Sequence, residues 1–124
     1  MTSSRPVSEP LVTLAEPTRL RILNCLSTAP LFPSDLASMF SLPEATIVEH
    51  LDVLERLGMV RTHDVVPYVL YALSPLPASS ERLVRAVLDA MRADPAARAD
   101  RIAALARSRS RLETRVGRAA LNAS

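Results

Sequence analysis

The sequence predicts a mainly α fold closed by one small β-hairpin and followed by a C-terminal helical extension. Three observations carry that expectation. Apolar residues recur at spacings of three and four in successive stretches: Leu20, Ile22, Leu23 and Leu26, then Leu36, Met39 and Phe40, then Ile47, Leu51, Leu54 and Leu57. Prolines stand where helices would begin, at Pro17, Pro33 and Pro43, positions at which a missing amide proton costs little. After Gly58 the pattern changes to two short runs of branched and aromatic residues, Met59–Thr62 and Tyr68–Leu73, which read as strands.

The elements follow in order. Met1–Pro6 reads as a disordered leader, and Val7–Ala15 has room for a short first helix despite Pro10. A second helix runs from Pro17 to about Ser27, with Ala29-Pro30 ending it. The third starts at Pro33, and Ser41-Leu42 makes the turn to a fourth that spans Pro43 to Leu57. Gly58 closes that helix because it alone takes a left-handed conformation without steric cost. His63-Asp64-Val65-Val66-Pro67 then forms the loop between the strands. Ser74-Pro75-Leu76-Pro77 is a stiff connector, Ser79 or Ser80 caps a fifth helix reaching about Ala93, and Asp94-Pro95 starts a sixth. The expected organisation is one domain with two parts: residues 1–78, holding the first helices and the hairpin, and residues 79–124, holding the last two helices.

Composition sets limits on function. With 124 residues, 48% of them hydrophobic, the chain can build a modest core without disulfides. It has no apolar run long enough for a membrane span and no signal-peptide stretch, so a cytoplasmic location is expected. The net charge of +2 is unevenly placed. Residues 1–80 hold five Arg against eight acids, net −3, and residues 81–124 hold ten Arg against five acids, net +5. The positive charge therefore lies outside the helix-and-hairpin unit. No Gly-rich phosphate loop or Ser/His/Asp arrangement is present, so an enzyme is not expected, and no cofactor is implied.

Three segments in this order and spacing resemble the ArsR (SmtB/ArsR) family of bacterial winged helix-turn-helix regulators. They are Leu14-Ala-Glu-Pro-Thr-Arg-Leu-Arg-Ile-Leu23, the frame from Thr46 to Leu54 containing His50-Leu51-x-x-Leu54, and Leu57-Gly58-Met59-Val60-Arg61 leading into the wing. The resemblance covers residues 14–73, about half the chain. It implies a homodimer that represses transcription by binding a palindromic operator in double-stranded DNA, with the first and last helices at the dimer interface and an effector that changes DNA affinity. Metal-sensing members carry a Cys-x-Cys-type motif at the start of the third helix. Here that stretch is Leu31-Phe-Pro-Ser-Asp-Leu36. The other metal site of the family uses Asp, His and Glu along the last helix, and residues 79–124 contain no histidine. No metal site is therefore expected, and the two histidines are too few for a four-ligand zinc site.

The fourth helix, which the resemblance makes the recognition helix, is acidic on its outward side. With Ile47, Leu51 and Leu54 inward, Glu44, Ala45, Val48, Glu49 and Asp52 face the other way. Each acid near a phosphate opposes docking by about 1 kcal/mol when solvated. Glutamate can nevertheless accept from cytosine N4, and Ala45 or Val48 can touch a thymine methyl. Thr46, His50, Arg56, Arg61 and His63 are the candidate phosphate donors, although positions 64–67 put no cation at the wing tip. Plainer readings stand beside these: Glu44 and Glu49 suit the positive half of a solvated helix, Asp52 pairs with Arg56, His50 packs beneath the helix, and His63 is an exposed strand end.

Two residue groups lie outside that frame. Cys25 reads as a small core residue, and a redox role would require exposure and a lowered pKa. Beyond Asp94, Ile102, Leu105, Leu112, Val116 and Ala119 make an apolar stripe on a short basic helix, which either packs in the dimer or carries cationic surface to DNA flanks. Two functions from different classes follow. One is a DNA-binding repressor that senses no metal, with a variant that answers to a small molecule in a pocket at the dimer interface, although no residue identifies the ligand. The other is a winged-helix module whose acidic face binds a basic protein partner and binds DNA weakly or without specificity.

Overall fold

The computed structural model describes residues 8–75 and 78–123, with side-chain surroundings for 11–75 and 80–111. The expected leader and the Leu76-Pro77 part of the connector lie outside them, as do the side chains of Ser79, Leu112, Arg115, Val116, Arg118 and Ala119. The order is α1 (Ser8–Leu14), α2 (Pro17–Leu26), α3 (Pro33–Phe40), α4 (Glu44–Arg56), β1 (Val60–Val65), β2 (Tyr68–Leu73), α5 (Ala78–Met91) and α6 (Pro95–Ala123).

Helix starts follow the prolines and their neighbours. Glu16 caps α2 by accepting from the Arg19 amide at 3.0 Å, and Asp35 returns to the Phe32 amide at 2.9 Å to close the first turn of α3. Ser41 turns the chain between α3 and α4 with φ of 55°, and Gly58 ends α4 with φ of 73°. One core joins these helices to the hairpin: Ile22, Leu23, Leu31, Leu36, Ile47, Leu51, Leu54 and Met59 are all essentially solvent-free. Leu31 also exchanges backbone hydrogen bonds with Tyr71, at 3.0 and 2.9 Å, which ties the segment before α3 to the hairpin. Cys25 lies in this core, as its apolar neighbours predicted.

Three expectations needed correction. The loop placed at 63–67 is shorter, because β1 continues through Val65, pairing His63 with Leu70, Asp64 with Val69 and Val65 with Tyr68. The chain reverses at Val66-Pro67 alone, across a cis peptide bond. Cross-strand pairing satisfies the backbone of His63 and Asp64, which outweighs the poor strand preference of Asp. Helix α5 stops at Met91, where Arg92 and Asp94 turn back onto Asp89 and Met91 carbonyls, since the residue before Pro95 disfavours helix. Helix α6 is not short: it runs 29 residues and passes through Gly117.

Helix α6 lies along α2 and α3, held mainly by polar groups. Ala97 and Ala104 are its buried small residues, and they let the backbones come close. Asn24, nearly solvent-free, donates to the Ala97 carbonyl and accepts from Arg101, both at 2.9 Å. Arg21 grips Asp100 with two hydrogen bonds of 2.9 and 3.1 Å while lying over the Phe40 ring, 3.9 Å from its centroid. Arg111 bonds Asp35 and the Pro30 carbonyl, and Arg107 bonds Ser38. The stripe residues Ile102 and Leu105 face away, at 61% and 37% exposure.

Candidate nucleic-acid interface

Helices α3 and α4 and the hairpin form the surface that the sequence singled out. Ile47, Leu51 and Leu54 anchor α4 with no solvent exposure, so its opposite side projects outward. Glu44, Ala45, Glu49, Asp52, Glu55 and Arg56 are exposed there, and Thr46 and Val48 are half-buried at its margins. Arg61 and His63 are exposed on β1, so they stand beside α4 rather than on it. Asp52 and Arg56 form no ion pair with each other among the described residues, contrary to the plainer reading of that pair.

Two further features were not evident in the sequence. The tip of the hairpin is apolar: Val65, Val66 and Tyr68 are all exposed, Val66 to 88%. The Tyr68 ring meets Phe32 edge-on, with centroids 5.9 Å apart, and Arg111 stands over that same Phe32. At the base of the hairpin, burial and then the nearby Asp52 and Glu55 charges raise the Tyr71 phenol above its ordinary pKa, which fixes it as a neutral packing residue.

The second feature is a polar contact at the flank of α4. His50 is half-buried, with 18% of its side chain exposed. Its Nδ1 accepts from Arg19 Nε at 3.2 Å and lies 3.6 Å from Glu16 Oε2. His50 is therefore held by α2, and both of its partners lie in the Glu16-Pro-Thr-Arg19 segment. Burial tends to raise the Glu16 pKa, but amide hydrogen bonds from Thr18 and Arg19, with the neighbouring His50 and Arg19 side chains, outweigh it and leave the carboxyl below its ordinary value.

Other chemistry finds no support on this surface. Among the described residues, no group of three or more His, Cys, Asp and Glu is placed to hold a metal ion, and no helix is long and apolar enough to cross a membrane. Burial, then the Asp100 charge, pushes the Cys25 thiol up to about 12, overriding Arg21 and Arg101. Its Sγ lies 3.9 Å from the Asp100 carbonyl. A thiol so placed is a core residue and not a reactive one.

Comparisons with known proteins agree with the geometry. Residues 16–62, from the cap of α2 into β1, match the family described as bacterial regulatory proteins of the arsR family. Among solved structures, HlyU from Vibrio cholerae is 30% identical, with a TM-score of 0.55 over 64% of this chain and 89% of that one. Reduced HlyU from the same organism gives 28% and 0.58 over 68% and 83%. The transcriptional repressor BigR from Xylella fastidiosa gives 26% and 0.62 over 72% and 86%. Comparison with curated proteins returned no match. Motif order, helix-turn-helix geometry, hairpin and structural likeness converge: the chain belongs to the arsR family of bacterial regulatory proteins and is a DNA-binding transcriptional regulator with a winged helix-turn-helix fold, not an enzyme.

Proposed function

We propose that the protein is a homodimeric repressor acting in the cytoplasm, and that α4 of each copy enters successive major grooves of a palindromic operator. The observation that carries this is the outward side of α4, which no other described element covers although three buried residues fix the helix to the core. Glu44, Ala45, Val48 and Glu49 are positioned to meet base edges, Glu to cytosine N4 and the small apolar groups to thymine methyls. Thr46, Arg56, Arg61 and His63 supply phosphate contacts, and His50 acts from the flank. Residues 79–124 furnish the dimer helices. Ile102 and Leu105 border a groove of about 490 Å³ on the outer face of α6, and Leu11 and Val12 of α1 are likewise exposed. Exposed apolar groups on both helices suit a second copy. The likeness to BigR, described as a repressor, supports the direction of regulation.

A small-molecule effector would find room in a cavity of about 670 Å³ between α2, the end of β2 and α5, floored by Leu73, Val84 and Leu88. A second reading, a winged-helix module for a basic protein partner, is favoured by one observation: the acidic outward side of α4 stands on the same unit as an apolar hairpin tip.

Selection from a random double-stranded DNA library at two salt concentrations separates the two. Enrichment of a palindrome with half-sites about one helical turn apart is the expected result. No enrichment by well-folded dimeric protein would overturn the repressor and leave the acidic side to a protein partner.

A further inference from the structure

We propose that Arg19 is a positioning residue for the recognition helix, acting through His50, and that Arg19, His50 and Glu16 form a proton-sensitive brace. The inference rests on the DNA-binding reading and adds a regulated determinant of specificity to it. Helix α4 is fastened along its buried side by Ile47, Leu51 and Leu54. The Arg19 to His50 bond adds a polar tie between the flank of α4 and the start of α2, and so helps to set the angle at which the outward side of α4 is presented.

The chemistry gives the brace two arrangements. With Nδ1 accepting from a guanidinium, the imidazole is neutral and carries its proton on Nε2. Protonation turns Nδ1 into a donor. It then repels Arg19 and turns to Glu16 Oε2, 3.6 Å away, which already caps the Arg19 amide. On α2, the charged groups at His50 are Glu16 and Arg19. The only ionisable side chain of α3, Asp35, is taken by Arg111 and the Phe32 amide. On β1, Arg61, His63 and Asp64 are exposed, as is Glu49 beside His50 on α4 itself.

A phosphate-binding histidine and a bracing histidine respond oppositely to acid. The first gains a charge and tightens on every DNA, whereas the second loses the geometry that reads bases. The experiment takes the full chain and its selected operator and measures the ratio of affinities for operator and scrambled DNA from about pH 8 to 6. In parallel, side-chain nitrogen spectra of the free protein follow His50. The ratio is expected to fall about tenfold on acidification, and R19M should lose a similar factor already at the alkaline end. H50Q, whose amide oxygen accepts from Arg19 but takes up no proton in this range, should lose the pH dependence of the ratio. R19L, which likewise has no donor for Nδ1, should lose the same factor, and it covers the case in which R19M folds poorly. Acid-strengthened binding to both DNAs, or R19M and R19L proteins that discriminate normally, overturns the proposal, as does a His50 Nδ1 resonance that ignores loss of Arg19. If the native protein prefers no sequence, the repressor reading fails, while the spectra of the free protein still decide whether the brace exists.

Discussion

Replacing Asn24 by alanine should remove about 2 kcal/mol of stability, a large effect for one exchange in a core that is otherwise mostly apolar. Asn24 is 1% exposed and joins α2 to α6 through both ends of its amide, to the Ala97 carbonyl and from Arg101 Nη1. Truncation removes the amide's bond to the Ala97 carbonyl, which keeps its intrahelical partner, a loss of about 0.5 to 1.5 kcal/mol. It also removes one charge-assisted bond to Arg101, worth about 1.5 to 3 kcal/mol in full. The second loss is discounted because Arg101 keeps the Met91 and Arg92 carbonyls. For a chain of this size the total corresponds to a fall in Tm of about 10 °C. Urea unfolding at a fixed protein concentration measures it, the concentration being held because assembly shifts apparent stability. A double-mutant cycle with Arg101→Ala should return about 1 kcal/mol of coupling. A loss below about 1 kcal/mol would refute the account of α6 as a helix docked by a buried polar clamp.

Three other outcomes are expected. Cys25, with its pKa raised from 9.0 to about 12, should react with a thiol reagent at pH 8 about a thousandfold more slowly than the unfolded chain, and its contribution to stability, complete below pH 9, should drain away as pH rises toward 12; fast labelling of native protein would contradict its burial. Gly58→Ala should cost about 1 kcal/mol in chemical unfolding, all of it from the positive φ, because no atom lies within 4 Å of an added Cβ. The pair Glu44→Lys and Glu49→Lys should raise affinity for random DNA in a binding titration and steepen its log–log salt slope by up to about 1.8 per copy, while eroding operator preference.

The parts of the fold that were legible in the sequence are those fixed by local periodicity and backbone restriction. Ile47, Leu51 and Leu54 show the buried side of α4 at spacings of four and three, and Pro17, Pro33 and Gly58 mark helix ends by what their backbones allow. The length of the hairpin was hidden because His63 and Asp64 are solvent-facing and poor in strand preference, yet are held by pairing with Leu70 and Val69. The site was only half legible for a related reason. Polar partnership across the fold has no periodic signature: Arg19 meets His50 from 31 residues away, and Arg101 meets Asn24 from 77. The sequence left His50 open between packing and DNA contact, and only the proximity of α2 and α4 supplied its partner.

Those long-range pairs also explain why a chain of net +2 charge presents an acidic recognition helix. Much of the positive surplus lies in α6, where Arg101, Arg107 and Arg111 are spent on Asn24, Ser38, Asp35 and backbone carbonyls. Their work is to seat a helix whose body-facing residues, Ala97 and Ala104, are too small to hold it by apolar burial alone. That leaves α6 free to turn Ile102 and Leu105 outward, toward a surface that a second copy can cover. On the α4 side, Arg56 and Arg61 stand against Glu44, Glu49, Asp52, Glu55 and Asp64, so counterion release contributes little to DNA affinity. On the proposed reading of α4 as the helix that meets base edges, discrimination would rest on contacts made at the right angle, and the orientation of α4 would decide it. In a strongly basic winged helix, a slight rotation of the reading helix would be masked by phosphate attraction, whereas here it would be expressed directly in operator choice.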